Sequence, residues 1–257
     1  VAPGFINVLS WANESLMHDG RSQSDISQGV TLEVMGEGES MGPLTPAMRA
    51  EMIKQQSDIT YDVPWTTLGE YLSLLERQGV STNVASFVGA ATVRRHVVGY
   101  DDKRASREQL LRMQDLVRAA MREGALGVGS SLIYAPGSFA NTDELVALTA
   151  AAHEFGGSYI SHIRSEADRF LEAIDELSEI GRRTGAPVQM YHMKPAGAKN
   201  WKKSKTGIAR LNAARAKGID VSANIYPYTA GATGLDAAMP LWVQEGGHDA
   251  WVARLKQ

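Results

Sequence analysis

Cysteine is absent from the sequence, which removes disulfides, thiolate metal ligands and cysteine nucleophiles together. The same absence selects no compartment. Net charge is also small: 26 basic and 29 acidic residues leave −3, spread along the chain, so neither nucleic acid nor an anionic membrane is an expected partner. A small-molecule substrate is. No apolar run approaches the roughly 20 residues that a membrane-spanning helix needs, and a soluble protein is expected, with cytoplasmic and exported locations both open. The first residue is Val1 rather than Met, from which an upstream segment, an export signal among the options, is expected. No G-x-x-x-x-G-K-[ST] occurs, and neither GVGSSL nor GEGES forms a G-x-S-x-G elbow; P-loop nucleotide hydrolysis and serine esterase chemistry are set aside on that ground.

What is present is an alternation of short β-rich runs and longer helical patterns. The runs fall at residues 4–9, 30–35, 80–88, 125–132, 158–163, 187–193 and 220–226, several of them apolar throughout, as parallel strands covered on both faces are. Thr67, Ser106 and Asn141 each precede a Glu or Gln by three residues, the spacing that caps a first helical turn. Gly79, Gly124, Gly156, Gly185 and Gly218 follow helical patterns, where a left-handed residue ends a helix at low cost. Leu110, Met113, Val117 and Ala120 make one apolar stripe, read as core packing. The irregular stretches 41–44, 135–139 and 196–205 all follow strands, where α/β folds carry functional loops.

Seven βα-type strands predict a TIM-like (β/α)8 barrel one strand short of the eight that closure needs. The chain, residues 1–257, is therefore read as one partial barrel domain: either the missing strand lies beyond residue 257 or the sheet is open, and the helical pattern that stops at 257 favours the first.

Two histidines carry the chemistry. His162 and His192 each end a β-rich run and lie 192 − 162 = 30 residues apart, about one βαβ repeat. Adjacent parallel strands are about 4.8 Å apart, so two imidazoles at one height can share a metal ion. His18, His96, His153 and His248 have no such partner and read as surface or structural residues. A zinc site ordinarily takes at least three protein ligands. The loop MGEGESMGP after the second strand offers Glu37 and Glu39, although an ordinary glycine-rich turn with solvated acids explains it equally well. Lys194 reads as a substrate anion clamp or a loop lysine, in phase with His192 along an extended strand. Tyr134 reads as an orienting donor or a packed aromatic, and Arg164 with Glu166 as a structural ion pair.

In order along the chain, GVTLEVMGEGESMGPL, EGALGVGSSLIYAPGSFANTDEL, GGSYISHIRSEAD, VQMYHMKPAGAKNW and DVSANIYPYTAGATGL resemble successive signature segments of the D-aminoacylase (N-acyl-D-amino-acid deacylase) family of the amidohydrolase superfamily. The resemblance implies a distorted TIM barrel with a small β domain built from both ends of a longer chain, and zinc-dependent hydrolysis of the amide in N-acyl-D-amino acids. It implies that His162 and His192 are zinc ligands and that Tyr134 and Lys194 hold the substrate α-carboxylate. The departures are specific. Where the family has D-x-H-x-H this sequence has Asn7-Val-Leu9-Ser-Trp11, so the second metal position is expected to be lost. The family's ligating Cys aligns with Gly38, which puts Glu37 forward as substitute ligand and Glu39 second. A His after the third strand becomes Ala90, and the catalytic Asp is expected beyond residue 257.

Two functions are therefore weighed. One is a deacylase with one zinc held by His162, His192 and Glu37, inactive as residues 1–257 alone. The alternative is a non-catalytic or redirected small-molecule binder in which Leu9 and Trp11 replaced metal ligands.

Overall fold

The computed structural model describes residues 1–256; Gln257, the last residue of the expected terminal helix, lies outside them. Eight strands form, all paired in parallel: β1 (Phe5–Asn7), β2 (Val30–Met35), β3 (Asn83–Ser86), β4 (Val88–Gly89), β5 (Gly127–Ser131), β6 (Ser158–His162), β7 (Val188–Met190) and β8 (Val221–Ala223). They order as β1-β2-β3 and β4-β5-β6-β7-β8. β3 and β4 are two halves of the run expected over 80–88, interrupted at Phe87, whose N–H still donates to Met35 O at 2.9 Å. Eight labelled strands thus fill the seven expected positions. The runs expected over 4–9, 187–193 and 220–226 shorten to three-residue strands, because polar turns and the site loops take over their ends.

The crossovers contain helices: α1 (Ser15–His18) and α2 (Gln23–Ser27) after β1, α3 (Pro46–Lys54) and α4 (Leu68–Gln78) after β2, and α5 (Ala90–Val97) and α6 (Arg107–Arg122) after β4. Then come α7 (Thr142–His153), α8 (Phe170–Thr184) and α9 (Lys203–Ala216) after the next three strands, with α10 (Leu241–Gln244) and α11 (His248–Leu255) last. Thr67 and Ser106 form full capping boxes with Glu70 and Gln109, and the Asn141 side chain accepts from Glu144 N. These bonds satisfy first-turn amides that would otherwise face no partner.

The larger core lies between the sheet and the helices, with Met113, Val117 and Ala120 of α6 buried in it. A smaller cluster brings together Val34 from β2, Phe87, Ile160 from β6 and Tyr191. Residues on strands so far apart in order meet only if the sheet curls, so this cluster is the filled interior of a barrel. The loops leaving the carboxyl ends of β1, β2, β5, β6, β7 and β8 converge above it. No helix among the described residues is long and apolar enough to cross a membrane.

Candidate metal centre

β2 ends at Met35, and the next three residues, Gly36-Glu37-Gly38, deliver a carboxylate over the barrel mouth. Both glycines have positive φ, 101° and 76°. A Cβ at position 36 would lie 2.3 Å from Phe87 O, and one at position 38 would lie 2.5 Å from the Ser131 Cβ. Only glycine fits either place. Position 38 has no room for a side chain, and the neighbouring Glu37 is the side chain of this loop that reaches the two histidines.

His162 closes β6, paired in register with Ser131 of β5. His192 stands two residues past β7 with φ 33°, a left-handed conformation that is strained for a side-chain-bearing residue. The Tyr191 N–H bonds to Ser161 O at 2.9 Å, and the His192 and Met193 amides bond to Asn224. The expectation that Lys194 shares the phase of an extended strand with His192 is therefore corrected: there is no strand at that point. The turn nevertheless brings Lys194 Nζ to 2.9 Å from His192 Nδ1.

Glu37 Oε1 lies 3.1 Å from His162 Nδ1 and 3.0 Å from His192 Nε2. All three side chains are buried, and their ligand atoms lie within 4.8 Å of one another. Burial alone would raise the Glu37 carboxyl, but the two imidazoles outweigh it and hold the group down at about 2. Burial would lower His192, and hydrogen bonds to Glu166 and Glu37 outweigh it, raising the group to about 9. The Trp11 indole N–H donates to the other Glu37 oxygen, Oε2, at 3.0 Å.

Glu166 closes the far side of the histidine pair. Its Oε1 is 2.9 Å from His192 Nδ1 and 2.5 Å from Lys194 Nζ. The expected Arg164–Glu166 pair does not form. Arg164 turns away to Glu176 at 2.9 Å and to the carbonyls of Ser138 and Ala140, because the chain leaves its strand directly after His162. Glu39 pairs with Arg95 at 3.2 Å and stays outside the cluster, and Ala90 begins α5. Tyr134 stands edge-on to His162 with ring centroids 5.7 Å apart, its hydroxyl 2.5 Å from Thr233 Oγ1. Its hydroxyl titrates above the ordinary value, chiefly through burial.

A cleft of about 1090 Å³ opens over this cluster, lined by Leu9, Trp11, Glu37, Tyr134, His162, Glu166, His192, Lys194 and Tyr226 among others. Two imidazoles and one carboxylate are the donor set of an open zinc site with three protein ligands. His162 Nε2 is buried without a hydrogen-bond partner, 3.9 Å from Glu166 Oε1. The residues present fit a zinc ion. Glu166, Tyr226 and the bond from Trp11 escaped the sequence reading; the phase of Glu166 after His162 was visible, but its true partners lie on another strand's loop.

Known proteins resemble this chain in sequence and in fold. No family model matches the chain. D-aminoacylase of Alcaligenes xylosoxydans xylosoxydans is 32% identical over 237 residues, 91% of this chain and 48% of the relative; N-acyl-D-glutamate deacylase of the same organism is 33% identical over 235 residues, again 91% and 48%. A crystal structure of D-aminoacylase superposes with a TM-score of 0.79 at 31% identity, covering 89% of this chain and 48% of that one. N-acyl-D-glutamate deacylase of Bordetella bronchiseptica, solved with zinc and a phosphonate that mimics the tetrahedral intermediate, gives 0.77 at 32% identity, covering 88% and 48%. A further D-aminoacylase structure concerns a binuclear metal centre activated by one metal and attenuated by the second. The chain spans about half the length of the curated relatives it matches. These relatives are hydrolases by name, which does not favour the binder alternative. In sequence and fold alike, this chain is similar to about half of a D-aminoacylase of the amidohydrolase type.

Proposed function

We propose that residues 1–257 form part of one metal-dependent hydrolase barrel domain whose protein cleaves the amide of N-acyl-D-amino acids with a single zinc ion. One observation carries the reading: a single carboxylate oxygen, Glu37 Oε1, lies about equally close to two imidazole nitrogens on successive barrel loops. Glu37, His162 and His192 would hold the ion, leaving a fourth position open. Zinc bound there would polarise a carbonyl and lower the pKa of a water to about 7.

The chain's own residues do the rest. Glu166 Oε1 lies 2.9 Å from His192 Nδ1; a proton held there would leave Nε2 as a lone pair directed at the centre. Lys194 and Tyr134 face the cleft from adjacent sides and hold a substrate carboxylate, Lys194 exchanging its pairing with Glu166 for the ligand. Fixing the carboxylate, the scissile carbonyl and the side chain at three points around one carbon discriminates D from L. Leu9 and Trp11 stand where a second metal's clamp would be and wall the cleft with apolar surface.

The test is zinc content by elemental analysis of the wild type and of the His162→Ala, His192→Ala double variant, followed by hydrolysis of paired N-acetyl-D- and N-acetyl-L-amino acids. About one zinc per chain, lost in the variant, with D-selective turnover in the longer protein, is expected. A wild-type protein free of zinc and silent on every D-substrate would leave the binder alternative standing.

A further inference from the structure

Trp11 is an anomaly if it merely fills a lost metal position. The residue is 62% exposed, yet its Nε1–H reaches inward to a carboxylate oxygen of the buried Glu37 at 3.0 Å. The turn that carries it is pinned: Ser10 N–H donates to Val34 O at 2.8 Å and Ala12 N–H to Ser10 Oγ at 3.2 Å. That ties the exit of β1 to β2, whose own exit carries Glu37.

We propose that Trp11 is a positioning residue for Glu37, holding the carboxylate so that one oxygen alone serves as a metal ligand. This rests on the zinc reading given above. The two oxygens of Glu37 have divided duties: Oε2 accepts from the indole, and Oε1 faces both imidazoles. A carboxylate on a glycine-flanked loop is free to rotate or to chelate through both oxygens. A neutral donor on Oε2 removes both freedoms without adding charge to a cluster that already holds Lys194. Outer-shell hydrogen bonds of this kind orient a ligand and raise its effective affinity. The residue at the former clamp position thus supports the remaining metal position instead of obstructing it.

Trp11 also lines both the main cleft and a smaller cavity of about 330 Å³ floored by Met41, Leu44, Met48 and Met52. Trp11→Phe keeps an aromatic ring at that partition and removes the donor, and the indole resonance separates positioning from packing. Zinc affinity is measured by competition with a chromophoric chelator, and the Trp11 indole 1H–15N resonance is followed in metal-free protein, wild type against Glu37→Gln. A fall in zinc affinity of about tenfold or more in Trp11→Phe, with an indole resonance that moves in Glu37→Gln, is the expected result. Wild-type affinity in Trp11→Phe, or an indole signal indifferent to Glu37→Gln, overturns the inference while the zinc reading stands. A wild type that binds no zinc removes the reading itself, and the inference with it. The resonance experiment needs no Trp11 variant beyond assignment, so a Trp11→Phe protein that fails to fold does not shield the idea.

Discussion

At the scale of the residue, the histidine pair is an ion cluster before it is a metal site. Glu37 stays ionised down to about 2, whereas His192 keeps its proton up to about 9. The imidazolium form donates to both flanking carboxylates and cannot ligate. A zinc ion must therefore displace that proton, and metal binding is coupled to its release. The sign follows. His192 is raised from its ordinary 6.5, so its pairing stabilises the metal-free fold fully below about 6.5 and loses that effect as pH rises through about 9. Glu37 is depressed, so its contribution is present above about 4.5 and is lost as pH falls toward 2. Apparent zinc affinity should then climb about tenfold per pH unit between 6.5 and 9; chelator competition at three pH values checks this, and a flat response contradicts it. Glu166→Ala removes the acceptor that orients His192, and a 10- to 100-fold loss of zinc affinity is expected, against no change if Glu166 only anchors Lys194. The histidine pair was legible in the sequence because it recurs with the βα repeat, whereas Glu37 and Glu39 stood level with an ordinary glycine-rich turn and only the resemblance put Glu37 first. Glu166 was not legible, because two residues in phase on paper separate once the chain leaves its strand.

At the scale of the element, the loop after β2 shows how local backbone and site chemistry depend on each other. Gly38 and Gly79 have nearly the same φ, 76° and 79°, but a Cβ at 38 meets Ser131 at 2.5 Å while one at 79 meets nothing within 4 Å. Gly38→Ala should cost at least about 1–2 kcal/mol from the left-handed backbone alone, roughly 2–8 °C in melting temperature, and should displace Glu37 and weaken zinc binding. Gly79→Ala should show the backbone cost without the metal effect. Thermal unfolding and zinc titration of the pair separate the two contributions, and equal zinc affinity in both variants would refute the role given to this loop. Helix boundaries with capping oxygens were readable in advance, as were seven strand positions. α3 and α5 were not: α3 buries Met48 while Ile53 on the same helix stays exposed, so no apolar stripe marks it. The break at Phe87 has no mark in the sequence either, because its N–H still donates to Met35 O of β2 and the run stays apolar and continuous in one dimension.

At the scale of the whole molecule, the site lies beside a seam. Among the described residues β1 pairs with β2 alone and β8 with β7 alone, so two strand edges flank the gap in the barrel. Apolar side chains gather near it: Phe5 and Ile6 on β1 are 63% and 57% exposed, and Ile225 and Tyr228 after β8 are 78% and 74% exposed. Unpaired edges with exposed apolar residues template association with other chains. A polypeptide of residues 1–257 purified alone should therefore show a mass that rises with concentration in light scattering. The cleft takes Leu9 and Trp11 from one side of the seam and Tyr226 and Tyr228 from the other, so substrate positioning depends on how the gap is closed. Glu37, His162 and His192 leave β2, β6 and β7, all away from the open edges. Metal binding should then be the less sensitive of the two to the seam: a polypeptide of residues 1–257 retains zinc, and its turnover of N-acyl-D-amino acids falls further than its zinc affinity when residues at the seam are substituted. Side-by-side zinc titration and assay decide it. Turnover unchanged by those substitutions would show that the seam is irrelevant to the chemistry, and loss of zinc would show that the cluster needs the closed barrel to hold its shape.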